Sequence, residues 1–224
     1  MTSSDVLPKN EDVTLACAFI DDPLKRADVL ALHAFLEALR DIPVRVSDPL
    51  MGEIRLRWWY EAVEEIAQGR PVRYHPLTDV LKRLIETYSL DPQAFYAMIE
   101  GQMPLLGKGA LTTEAAMKVA DAGEGGVAQL AARIVDPAGH ADLLAPARLY
   151  GMARLKAQRG LSDAGDAELG HLRREARTAM KGLSTPAMAV ALPAALATGL
   201  WTGRPRGPLG KRLKLLASFL TGAI

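Results

Sequence analysis

The sequence predicts an all-α, single-domain helical bundle of about eight to ten helices with short loops and little or no sheet. Three observations lead there. Apolar residues recur at three-and-four spacing through most of the chain. Carboxylate-proline pairs and glycines cut that pattern into helix-length pieces. No stretch alternates apolar and polar residues over strand length with β-branched side chains, and aromatic residues make up only 5%.

Taken in order, Met1 to Glu11 is polar, without an apolar signal-type core, and reads as a flexible tail on one domain spanning residues 1–224. Leu24, Ala27, Ala31, Ala34, Phe35, Ala38 and Ile42 then form one face of a helix. Asp48-Pro49 starts the next, with a capping carboxylate ahead of a proline at the first helical position, and Gly69-Arg70-Pro71 stops it. Trp58 lies one turn after Ile54 and one turn before Ala62, so it is expected to be largely buried, leaving Trp59 toward a groove. Leu77, Val80, Leu81, Leu84, Ile85 and Tyr88 repeat on a further helix face, Asp91-Pro92 caps another, and Gly107 closes it. Thr112 or Thr113 caps a segment that runs to Val135 and ends at Asp136-Pro137. Val44, Val46 and Val72 fall in short connections.

Two C-terminal stretches need a membrane test. Gly182 to Gly203 carries no charge, approaching the length of a span. Ala, Gly, Ser and Thr dominate it and Pro193 interrupts it, so a buried core helix is the expectation. Beyond it, Arg204, Arg206, Lys211, Arg212 and Lys214 accompany Leu209, Leu213, Leu216, Phe219 and Leu220 in a basic amphipathic helix. Such a helix can make peripheral contact with an anionic membrane, or close the bundle with its apolar face inward; the second placement is preferred here.

Composition bounds the function. The chain has 224 residues, 49% hydrophobic and 24% charged, enough for one substantial core. A formal net charge of +1 gives no global field to draw it to nucleic acid, and no nucleic-acid partner is expected. Cys17 is the only cysteine, which rules out an internal disulfide and a thiolate zinc site and fits a reducing, cytoplasmic location. His33, His75, His140 and His171 have no metal-ligand spacing, and no phosphate loop or nucleophile elbow is present.

The stretch from Ala31-Leu-His-Ala-Phe35 through Leu39-Arg-Asp-Ile42, with Gly52-Glu-Ile-Arg-Leu56 and Trp58-Trp59, resembles the squalene/phytoene synthase family. Val119 to Leu130 is similar to the family's Ala/Gly-rich helix, and Gly151-Met-Ala-Arg-Leu155 to its second metal-binding helix. In particular the sequence resembles a divergent branch that includes a mitochondrial complex I assembly factor and its bacterial relatives. The resemblance implies the isoprenoid-synthase type of helical fold. In active members, two Asp-x-x-x-Asp motifs on facing helices hold Mg²⁺ ions that grip a diphosphate.

Against that pattern, the first motif's aspartates fall on Arg40 and Val44, leaving Asp41 between them, and the second motif should run from near Leu161 to near Gly165. The resemblance therefore implies a non-catalytic protein without a cofactor, acting in assembly (respiratory complex I biogenesis) or in binding an isoprenoid or anionic lipid, and peripheral to the inner membrane. Candidate ligand-binding residues are Arg40, Arg55, Arg57, Trp59, Arg154 and Lys156. The first and last arginines and Lys156 would turn the cavity mouth basic. Arg55 and Arg57 pair by default with Glu53 or Glu61. The enzyme alternative is a Mg²⁺-dependent prenyltransferase that uses Glu37, Asp41, Asp163 and Asp166. The bland reading of Glu37, Arg40 and Asp41 is a solvated face on which they pair with one another.

Overall fold

Helices begin in this chain where a short polar side chain can satisfy the first free backbone N–H groups. In the computed structural model, which describes residues 7–139 and 141–224, Asn10 caps α1 (Glu11–Cys17), Asp22 caps α2 (Pro23–Arg45) and Asp48 caps α3 (Pro49–Ala67). His75 caps α4 (Pro76–Tyr88), and Asp91 caps α5 (Pro92–Glu100). A 3₁₀ turn over Met103–Leu106 leads to α6 (Thr113–Ala120), capped by Thr112. α6 runs through a π turn, Asp121–Gly125, into α7 (Gly126–Val135). Then follow α8 (Leu144–Arg159), α9 (Asp166–Ala179) and α10 (Thr185–Ala191). A 3₁₀ turn, Leu192–Leu196, joins α10 to α11 (Ala197–Trp201), and α12 is Pro208–Thr221.

The fold is all-α, of the isoprenoid-synthase type. Among the described residues the only β pairing is an isolated bridge between Leu111 and Leu161. Counting α6 to α7 and α10 to α11 as continuous rods gives ten helices among the described residues, the upper end of the expected range.

Two apolar clusters fill the bundle. Phe35 and Leu39 of α2 meet Leu56 and Trp59 of α3, Leu84 of α4 and Phe95 of α5 in the first. Met152 and Leu155 of α8 meet Leu172, Leu192, Trp201 and Leu215 in the second. Val190, Leu200 and Phe219 pack against both. Burying a side chain of this size contributes about 1.5–3 kcal/mol.

The structure corrects several expectations. The core face of α3 is Gly52, Leu56, Trp59, Val63 and Ile66, so Trp59 is buried while Trp58 is half-buried and Ile54 is exposed. Gly52 fixes that register: a Cβ there would lie 2.2 Å from Leu106 Cδ2. Val44 belongs to α2, which continues through Pro43 to Arg45. Pro8 is buried and Lys9 and Asn10 are held by hydrogen bonds, so residues 8–11 are not a loose tail. Residues 1–6, the rest of that expected tail, and His140 lie outside the described residues.

Gly182 to Gly203 is indeed largely buried, as one rod in which α10 passes into α11 through the 3₁₀ turn at Pro193, whose missing N–H removes an α-helical hydrogen bond there. No helix among the described residues is long and apolar enough to cross a membrane. α12 turns Leu215 and Ser218 inward and leaves Leu209, Leu213, Leu216 and Leu220 exposed, the reverse of the preferred placement.

Candidate functional site

The π turn sets the centre of the molecule. An extra residue in a helical turn rotates the side chains that follow, and such turns recur where a side chain must be re-aimed. Here it buries Glu124 between α2 and α8. Arg40 of α2 donates through Nη2 to Glu124 Oε2, and Arg154 of α8 places Nη1 3.7 Å from Glu124 Oε1. Glu124 is 5% exposed, and its Oε1 accepts no hydrogen bond.

Two glycines make room for this carboxylate. A Cβ on Gly151 would stand 2.8 Å from Glu124 Oε2, and one on Gly123 would stand 3.2 Å from Arg40 Nη2. Gly126 and Gly125 likewise admit Met98 and Leu144. The glycines from Gly123 to Gly126 thus serve close helix packing.

Burial alone would raise the Glu124 carboxyl; the Arg40 and Arg154 guanidiniums outweigh it and hold the group below its usual range. Burial also works against charge on Arg154, and Glu124 outweighs it, so Arg154 is raised. His33, close by, borders a small cavity of about 20 Å³ and is pushed down to about 4 by burial, which leaves it neutral near pH 7. Cys17 is buried, and burial pushes its thiol up to about 12, so it is no nucleophile at neutral pH.

Above the triad opens a cleft of about 860 Å³, floored in part by Arg40 and Arg154. Pro43, Val44 and Val46, Leu105 and Leu106, and Leu155 and Leu200 supply its apolar wall. Glu37 and Asp41 line it as well. The Glu37 carboxylate accepts the backbone N–H groups of Lys9 at 2.6 Å and Asn10 at 3.0 Å. Asp41 accepts from Arg45 at 2.8 Å and from Lys9 Nζ at 3.4 Å. Glu37, Arg40 and Asp41 thus pair with other residues rather than with one another, Glu37 and Asp41 sharing Lys9. Arg159 closes the far rim by donating to the carbonyls of Leu105 at 2.6 Å, Gly107, and Gly109 at 3.3 Å.

The other candidates are dispersed. Lys156 lies 4.4 Å over the Trp201 ring. Arg57 pairs with Glu61 at 3.0 Å, and Arg55 is exposed on a shallow cleft it shares with Trp59 and His75. Trp59 packs edge-on against Phe35 at 5.4 Å. Asp163 accepts from Thr113 N at 2.6 Å and Thr113 Oγ1 at 2.8 Å, at the start of α6, and Asp166 opens α9. The cleft is lined by Glu37 and Asp41 but not by Asp163 or Asp166. Among the described residues no three His, Cys, Asp or Glu side chains converge as a metal site. The residues present at the centre do not fit a divalent cation, because two guanidiniums already oppose one carboxylate.

Glu124 and Gly151 carry the site, yet reading the chain assigned neither a role. The available signal was an acidic residue flanked by glycines inside an apolar helical run.

A search of the curated proteins finds no match to this chain. A family model described as squalene/phytoene synthase matches residues 8–157, which takes in α1 to α7 and nearly all of α8. By that match, and by the helical fold that goes with it, the chain belongs to the squalene/phytoene synthase family.

Proposed function

We propose that this chain is a non-catalytic member of its family, a binding or assembly protein whose cleft takes the apolar tail of an isoprenoid or lipid. The observation that supports it is that Arg40 and Arg154, which line the cleft, are both paired with the buried Glu124 beside it. Prenyl transfer in the family needs clustered carboxylates to hold Mg²⁺ against a diphosphate. On the resemblance, Arg40 stands where active members have their first aspartate, and the buried Glu124 carboxylate is neutralised by arginines. The cleft volume lies within the range of small-molecule sites, and its wall is apolar. A head group entering it meets Arg40, Arg154, Arg159, Lys9 and Lys108, balanced by Glu11, Asp12, Glu37 and Asp41. Affinity then comes from the tail more than from the head. Respiratory complex I biogenesis is the process to which the resemblance points.

The test pairs turnover with binding. Incubation with farnesyl or geranylgeranyl diphosphate and Mg²⁺ is expected to release no pyrophosphate above a no-protein control. A chelator-sensitive release, lost in Glu37→Ala or Asp41→Ala, would replace this reading with the prenyltransferase one. A fluorescent prenyl or acyl probe is expected to bind without metal, and Leu155→Arg, which places a charge in the apolar wall, to abolish that binding.

A further inference from the structure

The outer face of α12 has no partner among the described residues. Leu209, Leu213, Leu216 and Leu220 are 70%, 59%, 45% and 73% exposed. At about 100° per residue the four fall within roughly 60° of arc, so they form one unbroken stripe along the helix. Single exposed leucines are ordinary, but a contiguous row marks a contact surface.

The charge around this stripe has one sign. From Lys181 to Ile224 the chain has no acidic residue, while Lys181, Arg204, Arg206, Lys211, Arg212 and Lys214 are basic. Lys211 is engaged inward, 2.7 Å from Glu11 and 2.7 Å from Asp12. Arg212 flanks the stripe on one edge, about 40° from Leu216, while Lys214 lies on the other side, about 100° beyond Leu213 and lining a cleft. Along the Lys214 edge, Arg204 and Arg206 join it around a cleft of about 440 Å³. The Lys214 ammonium is held below its usual range, first by burial and then by Arg206, Arg173 and Arg177, with Asp12 lining the same cleft.

We infer that α12 docks flat on an anionic lipid surface, its leucine stripe set between head groups and its flanking arginines and lysine against phosphates. Charge complementarity selects this occupant. A second copy of the chain laid stripe to stripe would set basic edges against basic edges, with no acidic residue on α12 to relieve them. A helix with an apolar stripe, basic flanks and too little length to span is the form that lies in the membrane interface. α12 also lies beyond residues 8–157, so the surface belongs to the part of the chain outside the family match. The inference is independent of the cleft reading.

Flotation of the full chain with vesicles tests it, using phosphatidylcholine alone and phosphatidylcholine mixed with phosphatidylglycerol. Binding is expected only to the mixed vesicles and is expected to weaken as salt rises. Leu213→Ser/Leu216→Ser should lose about tenfold or more in affinity. Arg204→Ala/Arg206→Ala/Arg212→Ala should lose on the order of a hundredfold. All five positions are exposed, so both variants should melt with the parent; Leu209→Ser/Leu220→Ser stands in if the first pair does not. Equal binding to both vesicle types, or parent-like binding by the variants, would overturn the inference. A dimer seen by sedimentation and dissolved by Leu213→Ser/Leu216→Ser would assign the stripe to a second copy instead.

Discussion

Arg40 of α2 and Glu124 of the π turn, 84 residues apart in sequence, share a hydrogen bond in the interior of the bundle. With Arg154 they tie three separate elements around one carboxylate. A lone buried charge is costly, so each member depends on the others being in place.

That dependence is measurable by urea unfolding. Glu124→Gln leaves two guanidiniums with no anion and is expected to lower stability by about 3–5 kcal/mol. Replacing all three charges, as Arg40→Met/Glu124→Leu/Arg154→Met, removes the desolvation cost along with the attraction and should recover most of that loss. A Glu124→Gln protein within about 1 kcal/mol of the parent would show that the triad does not hold the helices together.

Gly151 gives a second handle on the same centre. Its missing Cβ leaves 2.8 Å to the Glu124 carboxylate, so Gly151→Ala must displace that group and is expected to cost about 1–3 kcal/mol. Ala120 Cβ also stands 2.8 Å away, so part of the cost is independent of Glu124. A double-mutant cycle with Glu124→Ala separates the two. The expected result is a smaller penalty for Gly151→Ala once the carboxylate is gone; an unchanged penalty would place the whole conflict at Ala120.

How much of this the sequence disclosed follows from the range of each signal. Caps at Asp48 and Asp91 act within three residues, and those helix starts were legible from them. Helix faces were less so. Trp58 and Trp59 differ by only about 100° of rotation. The decision between them rested on treating Ile54 as a core residue, whereas the packing of Leu106 against Gly52 sets the register. The same ambiguity turned the leucines of α12 outward. The basic residues at the centre were readable as Arg40 and Arg154 through the resemblance, but their shared partner was not. Nothing in local spacing says that a π turn will bring Glu124 between them.

The tryptophans offer a direct check on the corrected face. Trp59 packs against Phe35 and His75 in the interior, so Trp59→Ala is expected to cost about 3–5 kcal/mol and to fold poorly. Trp58 is half-buried beside Arg73, whose guanidinium lies 5.5 Å from its ring. Trp58→Ala should therefore cost roughly half as much or less. Thermal melts of the two variants decide it, and the reverse order of stability would restore the other face of α3 to the core.

His33 sets the last expectation, a loss of stability in mild acid. Its folded pKa is depressed to about 4, first by burial, with the Arg154 and Arg40 charges opposing protonation and Glu124 favouring it. In the unfolded chain the imidazole titrates near its ordinary value of about 6.5. Between those two values the unfolded state binds a proton that the folded state refuses, so stability falls as pH drops through this window and levels off below about 4. The full effect is roughly 1–3 kcal/mol, given a depression of this size in a coupled site. His33→Gln removes the titrating group while keeping a polar side chain of similar length beside the small cavity. In urea titrations from pH 7 to pH 4 (about the window set by these two values), the parent's midpoint should decline more steeply than the variant's. Carboxylates elsewhere contribute equally to both slopes, so the difference isolates His33. Parallel slopes would mean that His33 takes up its proton as readily in the folded protein as in the unfolded chain.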